Sequence, residues 1–259
     1  MAVGAIEDQR RLSPARGRWL HRLPAQVKVL ALLGFVCCVV ATPPSLLWPY
    51  LWQLVLLGVL MLAAGLPVLR LLRGLAIELP FLGFALAMPF LATGPTLSVA
   101  GVSLSIAGLW GAATLVAKST ISVLAALILA ATTRPHEFVA GLQRLHLPAT
   151  LTEILGFMVR YLEVIRQQWH QMAIARESRG FRARDPRAWR ALSAAVGSGF
   201  IRAYEQGERV HLAMLSRGYA GALPEAVHTA PAARPQQWAV AALVPGAALA
   251  VTVVAWLSA

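Results

Sequence analysis

The chain has 259 residues, of which 58% are hydrophobic and only 13% charged, and its mean hydropathy is +0.65. Such values exclude an ordinary soluble globular protein and define an integral membrane protein. The formal net charge of +12 is carried by arginine, apart from Lys28 and Lys118, and the arginines cluster in the first 24 residues and in 132–236. That segregation reads as the cytoplasmic loops of a multi-spanning protein, not as a nucleic-acid footprint.

Residues 1–24 are polar and basic (Arg10, Arg11, Arg16, Arg18, Arg22). The basic segment is long and the apolar run after it has no clear small-x-small cleavage site, so it reads as a retained cytoplasmic tail, not a signal peptide. No charged residue occurs from Val29 to Leu69. That run is too long for one span, and Thr42-Pro43-Pro44-Ser45 divides it into two helices joined by a tight external turn. The adjacent Cys37 and Cys38 cannot form an ordinary disulfide or a zinc site. Arg70 and Arg73 mark a return to the cytoplasm.

Leu79 to Ala117 is again free of charge. A third span is expected over about 75–92 and a fourth over about 104–131, with Gly94-Pro95 as the turn and Thr93 to Ser103 as an external link. Lys118 lies inside the fourth span. An ammonium in hydrocarbon costs about 2.5–3.5 kcal/mol on insertion scales, so Lys118 must face protein or water, either packed between helices, facing a polar cleft or taking a direct part in transport.

From Thr132 to Pro235 the chain turns amphipathic. Thr133-Arg134-Pro135 is a break, and a short segment reaches His146 before Leu147-Pro148 opens a long helix over about 149–178. Ile154, Met158, Leu162, Ile165, Trp169 and Met172 fall at helical spacing along it. A basic link (Arg182, Arg184, Asp185-Pro186, Arg187) precedes a second helix from about Ala188, striped by Leu192, Val196, Phe200, Ala203, Val210 and Met214. Gly197, Gly199 and Gly207 either weaken this helix or permit close packing. A Pro- and Ala-rich linker then leads to a final uncharged span from Trp238 to Leu257.

The fold class is therefore an all-α membrane protein with about five transmembrane helices (four to six) and a cytoplasmic domain of long amphipathic helices. Residues 1–24 form the tail, 25–131 the first four spans, 132–236 the cytoplasmic domain and 237–259 the last span. With the N-terminus inside, this topology places the arginine-rich segments in the cytoplasm.

Both long amphipathic helices end in the same seven-residue pattern, 38 positions apart. Ala175-Arg176-Glu177-Ser178-Arg179-Gly180-Phe181 and Ala213-Met214-Leu215-Ser216-Arg217-Gly218-Tyr219 share the form Ala-x-x-Ser-Arg-Gly-aromatic. A glycine just past the last turn can take the left-handed conformation that closes a helix, and a basic side chain there faces the negative end of the dipole. One such arginine reads as a dipole-stabilising cation worth about 0.3–1 kcal/mol. Two helices ending in the same exposed arginine read as the feature that the rest of the chain presents.

Catalytic signatures are missing. There is no phosphate loop for ATP and no HExxH. The six histidines (His21, His136, His146, His170, His211, His228) share no helix face. Gly197-Ser198-Gly199 lacks the first glycine of a nucleophile elbow and reads as packing. Glu78, near a span, has no carboxylate partner for acid/base work. The conspicuous polar residues are arginines, which make forked hydrogen bonds to carboxylates and backbone oxygens.

These features carry a family resemblance. N-terminal spans, Thr132-Thr133 at the end of one of them, Leu-x-x-Leu-x-Leu-Pro from Leu142 to Pro148, Arg160-Tyr161 and the two Ser-Arg-Gly ends together resemble the transmembrane T component of energy-coupling factor importers, the CbiQ/EcfT type. Leu23-Pro24-Ala25-Gln26-Val27-Lys28 is similar to that family's proline-then-lysine approach to its first span. The resemblance implies a non-catalytic subunit of a bacterial inner-membrane ABC importer. It binds no cofactor itself, ATP being bound by its partners. Those partners are two cytoplasmic ABC ATPase subunits, docked through Ser178, Arg179, Gly180, Ser216, Arg217 and Gly218 with Ala175, Phe181, Ala213 and Tyr219 in support, and a membrane-embedded S subunit that captures a transition-metal ion (cobalt or nickel) or a vitamin. Membrane lipid but no nucleic acid is expected as a further partner. The alternative is a membrane enzyme acting on an anionic lipid or phosphate headgroup through the cytoplasmic arginines.

Overall fold

A computed structural model of the protein describes residues 23–67, 74–92, 95–99, 102–145, 147–180, 188–221 and 233–258. Nearly all of the expected basic tail, Arg70 and Arg73, Phe181, the basic link 182–187 and most of the linker before the last helix lie outside the described residues. Those described form eight α-helices, a short 3-10 turn and one β-hairpin.

The punctuation of the sequence sets the helix limits. Helix α1 (Ala25–Ala41) stops because Thr42 precedes a proline and takes an extended ψ of 130°. Helix α2 (Trp48–Ala64) carries Pro49 in its first turn and closes on Gly65 at φ 67°. A 3-10 turn (Leu75–Glu78) leads into α3 (Leu79–Leu91). Helix α4 (Ile106–Thr132) starts where the Ser105 hydroxyl accepts from the Gly108 N–H. After α5 (Pro135–Arg144) come the long helices α6 (Ala149–Glu177) and α7 (Ala188–Leu215), and α8 (Pro235–Ser258) ends the fold. Helices α4 and α8, of 27 and 24 residues, are long and apolar enough to cross a membrane, and α1, α2 and the 75–91 stretch are shorter apolar helices.

The link between the third and fourth apolar helices is more ordered than expected. Thr96–Val99 (β1) pairs antiparallel with Val102–Ser105 (β2), Thr96 opposite Ser105 and Val99 opposite Val102. Alternation of Ser or Thr with Leu or Val suits a two-residue period, a signal hidden in the sequence by the dominant hydropathy on either side. The Ile106 N–H donates to the Pro95 carbonyl and closes the base of the hairpin.

The chain divides into two compact units, Met1–Gly141 with Ala230–Ala259, and Leu142–Thr229. In the first, Phe35 and Val39 of α1 pack with Leu57 of α2, Ile121 and Ile128 of α4, and Ala248 of α8. Outward-facing apolar residues stay exposed, including Leu51, Phe84, Leu86 and Leu243, which suits a lipid surround. Small residues allow close approach: a Cβ on Gly108 would lie 2.7 Å from the Met88 oxygen and the Pro89 Cα.

Polar side chains inside this unit are spent on helix ends. Lys28 Nζ donates to the Thr132 carbonyl at 2.9 Å, and Lys118 Nζ donates to the Val40 carbonyl at 2.8 Å. Each acceptor lies in the last turn of its helix, where carbonyls lack intrahelical partners and the dipole is negative. Antiparallel α1 and α4 thus cap each other with the only two lysines in the chain. Lys118, half-buried, bridges from α4 to α1 through that bond. Glu78 accepts hydrogen bonds from Ser119 and Thr120 of α4. Near the opposite end of α1, Gln53 donates to the Thr42 hydroxyl, Tyr50 to the Thr42 carbonyl and Trp256 to the Ala41 carbonyl, joining α1, α2 and α8.

In the second unit, α6 and α7 meet through half-buried residues of their expected stripes, among them Ile165, Trp169, Val210 and Met214. Gly199 permits close packing, since a Cβ there would stand 3.0 Å from the Trp169 ring, whereas Gly197 and Gly207 face open space. Ile154, Met158 and Leu162 of α6 and Val196 and Phe200 of α7 remain exposed.

Candidate docking ends

The two repeated motifs fold into the same hydrogen-bonded cap. At the end of α6 the Ser178 N–H donates to the Ile174 carbonyl, Arg179 N–H to Arg176 and Gly180 N–H to Glu177, at 2.9, 3.1 and 3.0 Å. At the end of α7 the Ser216, Arg217 and Gly218 N–H groups donate to Leu212, Met214 and Leu215, each at 3.0 Å. Gly180 and Gly218 take φ of 77° and 84°. A Cβ at either would meet nothing within 4 Å, so the requirement for glycine is one of backbone conformation and not of space. At Gly218 the Schellman pattern is complete, because the Tyr219 N–H reaches back to the Met214 carbonyl at 3.0 Å.

Inside each cap the serine hydroxyl turns back on its own helix. Ser178 Oγ donates to the Ala175 carbonyl and Ser216 Oγ to the Ala213 carbonyl, both at 3.0 Å. Serine thus satisfies a carbonyl near the helix end while adding almost no bulk beside the arginine. Arg179 and Arg217 are both exposed. Neither guanidinium has a hydrogen-bond or ion-pair partner among the described residues, so five N–H donors are presented outward at each end.

Tyr219 does more than complete the motif. Its hydroxyl donates to Glu153 Oε2 at 3.0 Å, tying the residue after the α7 cap to the first turns of α6. That hydrogen bond raises the phenol above its ordinary pKa, with desolvation and the Glu153 charge adding to the effect. The sequence offered no sign of this pairing across 66 positions. It also fixes the spacing of the two arginines. Arg179 lies about 26 residues along α6 from Glu153, which at 1.5 Å per residue is about 39 Å, so the two caps stand on the order of 30–40 Å apart.

Between α6 and α7 runs a groove of about 430 Å³ lined by Phe157, Tyr161, Gln168, His211, Met214 and Tyr219. No group of three His, Cys, Asp or Glu side chains converges among the described residues.

The fold is that of an α-helical membrane protein whose two long amphipathic helices end in matched, arginine-bearing caps. The chain matches the family described as Cobalt transport protein, CbiQ, over residues 16–229, a stretch that contains both caps. It belongs to that family. The cobalt transport protein CbiQ of Rhodobacter capsulatus is 29% identical to it over 223 residues, covering 85% of this chain and 88% of that one. An uncharacterised protein of Methanocaldococcus jannaschii is 33% identical over 95 residues, 37% of this chain and 35% of the relative. A second uncharacterised protein of that organism is 28% identical over 121 residues, so the chain spans well under half the length of either of these two relatives.

Proposed function

We propose that the protein is the transmembrane coupling (T) subunit of an energy-coupling factor importer, carrying ATP-driven motion of two cytoplasmic ABC ATPases to a membrane-embedded S subunit that captures cobalt. Membership of a cobalt transport family supports the metal. Five apolar helices are taken as the spans, with the N-terminus and the α6–α7 unit in the cytoplasm, as the placement of arginines favours.

The observation that carries the reading is the pair of matched caps on the order of 30–40 Å apart. A lipid or phosphate headgroup is far smaller than that distance, so the two arginines cannot converge on one headgroup. They can reach two separate bodies of domain size. A guanidinium carried on a closed helix end projects from a fixed backbone, and its planar fork suits an acceptor-rich groove. Arg179 and Arg217 each enter such a groove on one ATPase, while the exposed apolar stripes of α6 and α7 serve the S subunit.

Co-purification of the ATPases from membranes tests the reading, with cobalt uptake measured in the same cells. Arg179→Glu with Arg217→Glu should abolish both, because a reversed charge would be buried against acceptors. Assembly and uptake by the double variant at the native level would end the docking proposal.

A further inference from the structure

Lys28 is only 8% exposed, yet its ammonium makes a single hydrogen bond, to the Thr132 carbonyl. An ammonium has three N–H donors, so two find no acceptor among the described residues. Glu137 is near enough to attract it but forms no ion pair with it. A desolvated cation so sparsely bonded is costly unless an anion completes its shell.

Beside this ammonium lies a crevice of about 90 Å³ between α1, α2, α4 and α8, lined by Ala31, Leu32, Leu60, Ile128, Ala241 and Val244. Apart from Lys28 and Thr132, all of its lining residues are apolar. It therefore suits hydrocarbon and not water. Lys28 occupies the first turn of an apolar membrane helix, which puts its charge at the depth of lipid headgroups.

We propose that this crevice binds an anionic phospholipid, one acyl chain lying against the apolar wall and the phosphate completing the coordination of Lys28. Chemistry at both ends of the site selects this occupant. A free phosphate would satisfy the ammonium but leave the apolar wall uncovered. A zwitterionic lipid would fill the wall but carry its own cation into the neighbourhood of Lys28. Basic pockets between membrane helices are established headgroup sites. The inference rests on membrane residence and not on the docking role of the arginines.

Delipidated protein in detergent is titrated with phosphatidylglycerol, phosphatidylcholine or inorganic phosphate, following retained lipid by native mass spectrometry and stability by thermal unfolding. Phosphatidylglycerol should bind at least tenfold more tightly than phosphatidylcholine and raise the unfolding temperature, while inorganic phosphate should have no effect. Lys28→Met should remove the preference and Lys28→Arg should keep it. Ala31→Phe leaves the cation in place and fills the crevice, so it should weaken phosphatidylglycerol binding about tenfold even if Lys28→Met fails to fold. Equal binding of the two lipids, a shift produced by phosphate alone, or full binding by Ala31→Phe would each overturn the proposal.

Discussion

Gly218 offers a graded test of whether the shape of the cap, and not merely its charge, presents Arg217. Its φ of 84° is left-handed, and a Cβ there would meet nothing within 4 Å. Substitution therefore costs backbone strain alone, about 1–2 kcal/mol for a residue with a side chain. At an exposed helix end the free protein escapes that strain by fraying its last turn, and binding must then restore the turn. The strain reappears as lost affinity, about 5- to 30-fold for Gly218→Ala, since 1.4 kcal/mol is tenfold. Asparagine visits the left-handed region readily and should lose less, whereas a β-branched valine should lose most. The assay is a titration of ATPase subunits against the purified protein, paired with hydrogen exchange at the Gly218 and Tyr219 amides. Protection there should fall in the same order, asparagine, alanine, valine. Loss of affinity without loss of protection, or valine behaving like asparagine, would refute the reasoning.

Two further outcomes follow from contacts already described. A phenol whose pKa is raised in the fold contributes its full stabilisation below its ordinary pKa near 10 and loses it as pH rises through the folded value. The Tyr219–Glu153 bond should therefore be present at neutral pH and be lost as pH rises through the raised value of the phenol, and Glu153→Gln should bring the ultraviolet titration of Tyr219 back toward the ordinary value. Gly108→Val would drive side-chain atoms into the backbone of Met88 and Pro89, costing about 1–3 kcal/mol by overpacking, to be read as a lowered unfolding temperature in detergent.

The course of the chain could be read from proline, glycine and the absence of charge. Thr42-Pro43 ended α1 and Pro148 opened α6, because these residues act locally and their effect needs no partner. The glycine-closed ends of α6 and α7 were legible for the same reason. What could not be read were pairings between distant residues of ordinary type. Lys28 looked like a family landmark and proved to be the cap of α4, and Glu78, which looked solitary, is held by two hydroxyls about 40 residues away. Tyr219 showed itself as an aromatic after a glycine, and its bond to Glu153 depends on how α6 and α7 cross. No periodicity within one helix carries that information. The hairpin at 96–105 is the converse case, a local pattern too short to stand out between two apolar helices.

The reciprocal lysine caps restrict how the membrane helices can move. If α1 slid along α4 by one turn, about 5.4 Å, both ammonium groups would leave their carbonyls at once, one overshooting and the other falling short. Tilting the two helices together leaves both bonds intact. The two bonds therefore tie the register of α1 to that of α4 while leaving a common tilt of the pair unopposed.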